Sequence, residues 1–309
     1  MNIFVVNHSV ENCGVYQYGK RVGKILEKSK KINFIYLELD TEEEFRKQLS
    51  TYSPEIIIYN YLSGTMPWMN EILAQELREF GIVQMLLVHN VNYSTFFDYY
   101  LHQNPDYTDD DKNFAICRPL FDYDSNLIED TDVLKIGSFG FGFRVKYFDE
   151  ICRVVNEQLY DRNVEIRLHL THSHFCENAN DIQGIKHECL SRITSPNIKL
   201  TMTHEFLTDI EMLDFLSQNN LNIFFYQDYP SYNGISSTID YALSVQKPIA
   251  ICKSRMFSHI MNVEPSICVE DTYLLDIINN GFIPLEEKYK KWTNSKFIDR
   301  IEKIIGEVI

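Results

Sequence analysis

The sequence predicts an α/β protein made of two doubly wound domains in series. Three observations carry this. Short apolar runs such as "NIFVVNH" and "EIIIYNYL" alternate with amphipathic stretches through most of the 309 residues. The runs are apolar throughout, as parallel strands covered on both faces are. A polar interval at 122–132, "DYDSNLIEDTD", breaks the alternation, and beyond it the pattern restarts. With 45% apolar residues, a chain of this length can fill two cores of ordinary size.

In order, "NIFVVNH" predicts a strand, 17–27 a helix by its spacing, "INFIYLEL" a strand and "TEEEFRKQLS" a charged helix. "EIIIYNYL", the helix "MPWMNEILAQELREFG" and "VQMLLVHNV" complete the first series. The aromatic and acidic stretch "NYSTFFDYYLHQNPDYTDDDKNF" then reads as a long loop with at most one helical turn, before the extended run "AICRPLF". After the linker come "VLKIGSF", a helix at 146–159, "VEIRLHLTH", a helix near 184–191, "NIKLT", a helix at 209–218, "LNIFFYQ", a further helix and "PIAICK". Thr208 and Glu211 fit a capping box. The tail reads as one or two amphipathic helices with Ile298, Ile301, Ile304 and Ile305 on one face. Domains are expected at 1–130 and 131–284, with 285–309 packing back toward the first.

Composition narrows the function. A formal charge of -15 argues against sequence-independent nucleic-acid binding, which needs Lys and Arg on phosphates. Seven scattered cysteines without a close CxxC pair suit a reduced, cytoplasmic protein. No apolar run approaches bilayer length and no basic flank precedes the first strand, so neither a transmembrane segment nor an export leader is expected; a local peripheral membrane contact stays open.

In open parallel sheets ligands bind beyond the carboxyl ends of strands. Those positions carry Asn7 and His8, Asn60 and Tyr61, and His89 and Asn90 in the first half; Ser138, Gly140 and Gly142, then Thr171, His172 and His174, then Tyr226 to Asp228 in the second. Facing carboxyl edges would line one cleft. "IGSFGFGFRVKYFDEI" offers glycines for close ligand approach and Arg144 or Lys146 to neutralise a phosphate, though its spacing is not that of a dinucleotide fingerprint. "YNGISSTIDYALSVQKPIAI" at 232–251 reads either as a glycine-led anion site at a helix start or as an ordinary capped helix. "HLTHSHFC" and "DYTDDDK" look like metal motifs, but strand alternation and a solvated acidic loop explain them better, and no metal is expected. Tyr93, Phe96, Phe97, Tyr99 and Tyr100 suit a sugar-stacking or partner surface, or the packing of one short helix.

The stretches "LKIGSFGFGFRVKYFDEIC" and "LNIFFYQDYPSYNGISSTIDYALSVQKPIAI", with the tail "YKKWTNSKFIDRI", resemble the C-terminal half of GT-B-fold glycosyltransferases, in particular the large retaining family 4-like group that includes enzymes of polysaccharide and glycolipid assembly. The resemblance implies two Rossmann-like domains facing across a cleft, the nucleotide-sugar donor in the second and a glycan, glycolipid or other hydroxyl acceptor in the first. It implies no cofactor beyond the substrate nucleotide-diphosphate sugar. Lys146 matches the family's diphosphate-binding lysine, with Ser138 where an arginine would follow the glycine; Arg144 would substitute. Gly234, Ile235, Ser236 and Ser237, with Asn233 before them, match the phosphate-holding helix start. Ala242, Lys247 and Pro248 match the helix and its exit. Tyr241 stands in place of the second family glutamate, with Asp240 adjacent, and only Asp228 is acidic near the first. The donor side would thus comprise Ser138, Gly140, Arg144, Lys146, His172, Tyr226, Asn233 to Ser237 and Asp240. "ENCGVYQYGKRV" is similar to the family's first glycine-bearing loop, giving an acceptor side of His8, Gly14 and Tyr16. His89 resembles the histidine that faces sugar and acceptor, and with Lys146 completes the expected catalytic pair. The competing expectation is a binding or assembly protein that kept the fold and lost catalysis, since the glutamate pair is missing.

Overall fold

The structure, a computed structural model, describes residues 1–90, 93–124, 132–175, 180–228 and 234–309. Its elements are β1 (Asn2–Asn7), α1 (Gly14–Leu26), β2 (Asn33–Glu38), α2 (Glu42–Tyr52), β3 (Ile56–Tyr59), α3 (Glu71–Glu79), β4 (Val83–Val88), β5 (Tyr99–His102) and β6 (Asn113–Ala115). There follow β7 (Leu134–Phe141), a 3-10 turn (Arg144–Lys146), α4 (Phe148–Gln158), β8 (Val164–Thr171), α5 (Ile182–Arg192), β9 (Ile198–Thr203) and α6 (Asp209–Ser217). β10 (Leu221–Phe224), α7 (Thr238–Ser244), β11 (Ile249–Ile251), α8 (Ser258–Met261), α9 (Leu274–Asn280), α10 (Glu286–Lys291) and α11 (Asn294–Val308) close the chain. Two compact units result: Met1–Pro119 with Lys291–Ile309, and Leu120–Lys290.

In unit 1 six parallel strands run in the order β2-β1-β3-β4-β5-β6. Strand residues alternate between its two faces. Ile3, Val5, Ile56 and Ile58 pack with Val22 of α1 and with Phe297, Ile301, Ile304 and Ile305 of α11. Phe4, Val6, Ile57 and Tyr59 pack on the other face with Phe45 of α2 and with Leu73 and Leu77 of α3. This two-sided burial is why the strand sequences show no polar alternation. Ile298, expected among the apolar face of α11, is only half-buried, and Phe297 takes the central place.

Two strands stand where a loop is expected. β5 and β6 extend the sheet beyond β4, and Phe97 and Tyr100 are core residues rather than an aromatic surface. Both strands are short, so their local sequence carries little signal; pairing of β5 with β4 and of β6 with β5 forms them.

Unit 2 has five parallel strands in the order β11-β10-β7-β8-β9. Ile166, Leu168 and Leu170 of β8 pack with Ile151 and Val155 of α4 and with Ile185 of α5, while His169 on the opposite face bonds Thr203 Oγ1 through Nδ1 at 2.8 Å. α4 begins at Phe148, two residues later than Lys146, because the chain first makes the 3-10 turn. The Thr208–Glu211 capping box is present, Thr208 N donating to Glu211 Oε2 at 2.8 Å and Glu211 N to Thr208 Oγ1 at 3.4 Å. Thr208→Ala is expected to lower stability by about 1 kcal/mol in urea unfolding, and Thr208→Ser to retain it.

Candidate functional site

At the carboxyl ends of β7 and β10 a narrow pocket is lined by Ser138, Lys146, Tyr226, Ser236, Thr238 and Phe257 among others. Its walls lie close together, leaving about 0 Å³ for even a water-sized group, so it is a seam at the sheet edge and not a cleft of the roughly 300–1,000 Å³ that hold whole ligands. Lys146 is the group that defines its chemistry. The 3-10 turn after β7 folds the lysine back over the strand, and Gly140 makes room for it: a Cβ there would lie 3.3 Å from Lys146 Cε. The ammonium sits 4.9 Å above the centre of the Tyr226 ring, and Tyr226 N donates to Cys252 Sγ at 3.2 Å, which steadies the base of the pocket.

No carboxylate pairs with Lys146 among the described residues. Burial alone pulls its pKa down to about 8, because a desolvated ammonium favours its neutral form. Among the described residues the ammonium thus lies against an aromatic face with no carboxylate beside it.

Other donor-side expectations fare differently. Arg144 is exposed and forms ion pairs with Asp181 and Glu188 on and beside α5, so its guanidinium is turned to that helix and not to the pocket. Its expected role as a phosphate ligand would require these ion pairs to open. His172 is exposed beyond the end of β8 and is not among the residues lining the pocket. Asp240 is fully buried within α7 and likewise does not reach the pocket. Tyr241 donates its hydroxyl to Asp209 Oδ1 at 2.6 Å. Gly234 is buried and Ile235 half-buried, but the helix they precede is only about two turns long and starts after Ser237, whose side chain makes no cap bond. Ser236 N is spent on Met256 O at 3.0 Å and its hydroxyl lies 2.8 Å from that of Thr238. The helix start therefore offers fewer donors than its sequence implies. Asn233 and Cys176 lie outside the described residues.

In unit 1 the strand ends carry a chain of hydrogen bonds. Tyr16 and Tyr36 both donate to Glu38 Oε1, at 2.9 and 3.0 Å. Asn7 Nδ2 donates to Tyr36 Oη at 2.9 Å and to Tyr16 O at 3.0 Å. Asn60 Nδ2 donates to Asn7 Oδ1 and to Val15 O, both at 2.7 Å. The Asn60 oxygen, 2.7 Å from His89 Nε2, must then accept, which puts the imidazole proton on Nε2. His89 Nδ1 accepts from Gln103 Nε2 at 2.8 Å, and the buried Arg118 donates to Gln103 O at 3.0 Å. Each link fixes the orientation of the next.

His89 is therefore a member of this chain with both ring nitrogens occupied, rather than a side chain free to address an acceptor. Burial, with the nearby charges of Arg118 and His8, drives its pKa down to about 3, so it stays neutral. His8 is fully buried and its Nδ1 accepts from Val10 N at 3.2 Å; Tyr16 is buried with its hydroxyl on Glu38; Gly14 is the first residue of α1. The acceptor-side residues expected from sequence thus mostly build the floor of the strand ends. Glu38, Gln103 and Arg118 escaped sequence reading. Glu38 ends a strand; Gln103 and Arg118 follow strands too short to recognise.

Among the described residues no group of three or more His, Cys, Asp or Glu could hold a metal ion, and no helix is long and apolar enough to cross a membrane.

No protein-family model matches the chain, and no curated protein matches it. Solved structures do. A glycosyltransferase from Rickettsia africae is similar over 99% of this chain and 98% of its own, with a TM-score of 0.65 at 12% identity. A UDP-forming α,α-trehalose-phosphate synthase from Burkholderia xenovorans, in complex with glucose-6-phosphate, is similar over 99% and 100%, with a TM-score of 0.63 at 10% identity. HepE from Anabaena, in complex with UDP and glucose, is similar over 99% of both chains, with a TM-score of 0.61 at 11% identity. The chain has the two-domain, Rossmann-like fold of GT-B glycosyltransferases.

Proposed function

We propose that the chain is a glycosyltransferase that uses a nucleotide-diphosphate sugar and transfers the sugar to an acceptor hydroxyl, retaining its anomeric configuration and working without a metal ion. One observation carries this reading: the Lys146 ammonium, seated on Tyr226 with no carboxylate beside it among the described residues, at the sheet edge where this fold takes ligands. UDP bound to a protein of the same fold, HepE, supports a diphosphate as the anion.

In the proposed reaction Lys146 binds the donor diphosphate and stabilises the charge that grows on it as the bond from C1 to the phosphate oxygen breaks. The acceptor oxygen forms the new bond to C1 from the same face. Its proton passes to the departing phosphate oxygen. This proton route is favoured because His89 is neutral with both nitrogens spent and His8 Nδ1 is engaged, so neither strand-end histidine is poised as a base. The acceptor is a glycan, a glycolipid or another hydroxyl compound.

Thermal shift against UDP, GDP, ADP and CDP and their sugars tests the reading, followed by an assay for diphosphate release. A ligand bound only by the folded state raises stability by about 2.7 kcal/mol at a hundredfold excess over Kd. No response to any member would overturn it. The second reading, a binding protein without turnover, draws on Tyr241 bonded to Asp209 and Arg144 paired with acids, both where the family would spend charge on donor. Nucleotide binding with no release on a broad acceptor panel would select it.

The lowered pKa of Lys146 gives a pH signature. Below about 8 the free ammonium is charged and diphosphate affinity should be flat; above it each further pH unit should cost up to about tenfold, since binding must first reprotonate the amine. Lys146→Arg, which keeps its charge, should bind with no such fall between pH 7.5 and 9. A wild-type profile flat across that range would separate Lys146 from the anion.

A further inference from the structure

We propose that unit 1 carries a saccharide-binding site of its own, at the outer edge of its sheet beyond β5 and β6. This does not rest on the nucleotide reading. A cavity of about 570 Å³ opens there between the loop after β5, the end of β6 and the chain entering and forming α11. Its size is that of an ordinary small-ligand cleft, about 300–1,000 Å³. It is lined by Tyr107, Asp109, Cys117, Trp292 and Arg300 among others.

The lining combines what a hydroxyl-rich ring requires. Tyr107 stacks flat on His102, with ring centres 3.7 Å apart and planes within 2°, and the residue remains 37% exposed. His102 is itself fixed through Nε2 to Asn113 Oδ1 at 2.8 Å. The tyrosine is thus a stiffened platform for the C–H face of a pyranose, with little entropy to lose on binding. Beside it Arg300 and Asp109 form an ion pair; Arg300 Nε donates to Ala115 O at 2.8 Å, and Asp109 Oδ1 accepts from Ala115 N at 2.7 Å. Both charged groups are therefore anchored to the backbone of β6. A guanidinium donates to ring hydroxyls and a carboxylate accepts from them, so the pair can read adjacent hydroxyls of opposite role. Opposed charges at one wall favour a neutral sugar over an anion.

The protein has two tryptophans, and one of them lines this cavity. Trp68→Phe, a conservative change beside Phe45, leaves Trp292 as the reporter. In that background methyl glucoside, methyl galactoside, N-acetylglucosamine, maltotriose and cellotriose are titrated against Trp292 emission, with inorganic phosphate as the anion control. At least one sugar should give a saturable shift and phosphate none. Tyr107→Ala should weaken that sugar about three- to tenfold, and Arg300→Gln about tenfold or more. Circular dichroism of each variant checks folding; Tyr107, on an exposed loop, is the safer of the two. No saturable shift from any sugar with a folded protein, equal affinity in Tyr107→Ala, or saturation by phosphate alone would each overturn the proposal. Nucleotide binding, read separately by thermal shift, distinguishes this failure from failure of the transferase reading.

Discussion

Lys146→Met is expected to weaken nucleoside diphosphate binding by roughly ten- to a hundredfold while leaving the fold as stable as the parent. The loss follows from removing a charge-assisted contact, worth about 1.5–3 kcal/mol. The preserved stability follows from the same burial. At neutral pH the folded state holds an ammonium whose pKa is drawn down from 10.5 to about 8, so it carries the charge at a cost relative to the unfolded chain. Methionine keeps the stem against the Tyr226 ring without that cost. Arg144→Ala is the matched control: an exposed guanidinium held by Asp181 and Glu188 should change affinity less than twofold. Isothermal titration and a thermal melt decide both halves. Unchanged affinity in a folded Lys146→Met protein would remove the lysine from the donor site.

Gly19→Ala should be strongly destabilising for unit 1. Gly19 lies in α1, where alanine is ordinarily the better helix former. Here a Cβ would fall within 2.9 Å of Asn60 Cβ and closer still to its amide. Asn60 is fully buried and cannot move without breaking its bonds to Asn7, Val15 and His89. Overpacking and at least one lost buried hydrogen bond together predict a loss of about 2–4 kcal/mol, read as a lower urea midpoint. Gly306→Ala, with open space around its Cβ position, should be neutral or mildly stabilising. If the two variants melt alike, the close approach at Asn60 is not a constraint.

Much of the architecture was written in patterns with a local cause. Continuous apolar runs mark strands buried on both sides, and Thr208 with Glu211 marks a helix start because the cap is made within four residues. Lys146 and Tyr226, which line one pocket, stand among the sequence candidates, the first through its match to a family motif and the second through its place after an apolar run. What escaped is what depends on distant neighbours. β5 exists through pairing with β4 and β6 through pairing with β5, and their sequence is aromatic and acidic enough to pass for a loop. Arg144 sits where a phosphate ligand would, but Asp181 and Glu188 come from nearly forty or more positions later and capture it. His89 looks like a solvent-facing strand-end histidine until Asn60 and Gln103 are seen on either side of its ring. Residue type and position name the candidates; partners in space decide which remain available.

The packing of α11 on unit 1 sets an order of events during synthesis. Residues 1–119 leave the ribosome with one face of their sheet lacking Phe297, Ile301, Ile304 and Ile305. The whole of unit 2, 120–290, is translated before that cover is made. At about 5–20 residues per second the interval is many seconds, long against secondary-structure formation. The half that is made first is thus the half completed last, and until then its uncovered isoleucines and valines are a surface for chaperones to shield. Emergence of α11, rather than of the first 119 residues, is the moment at which unit 1 can close.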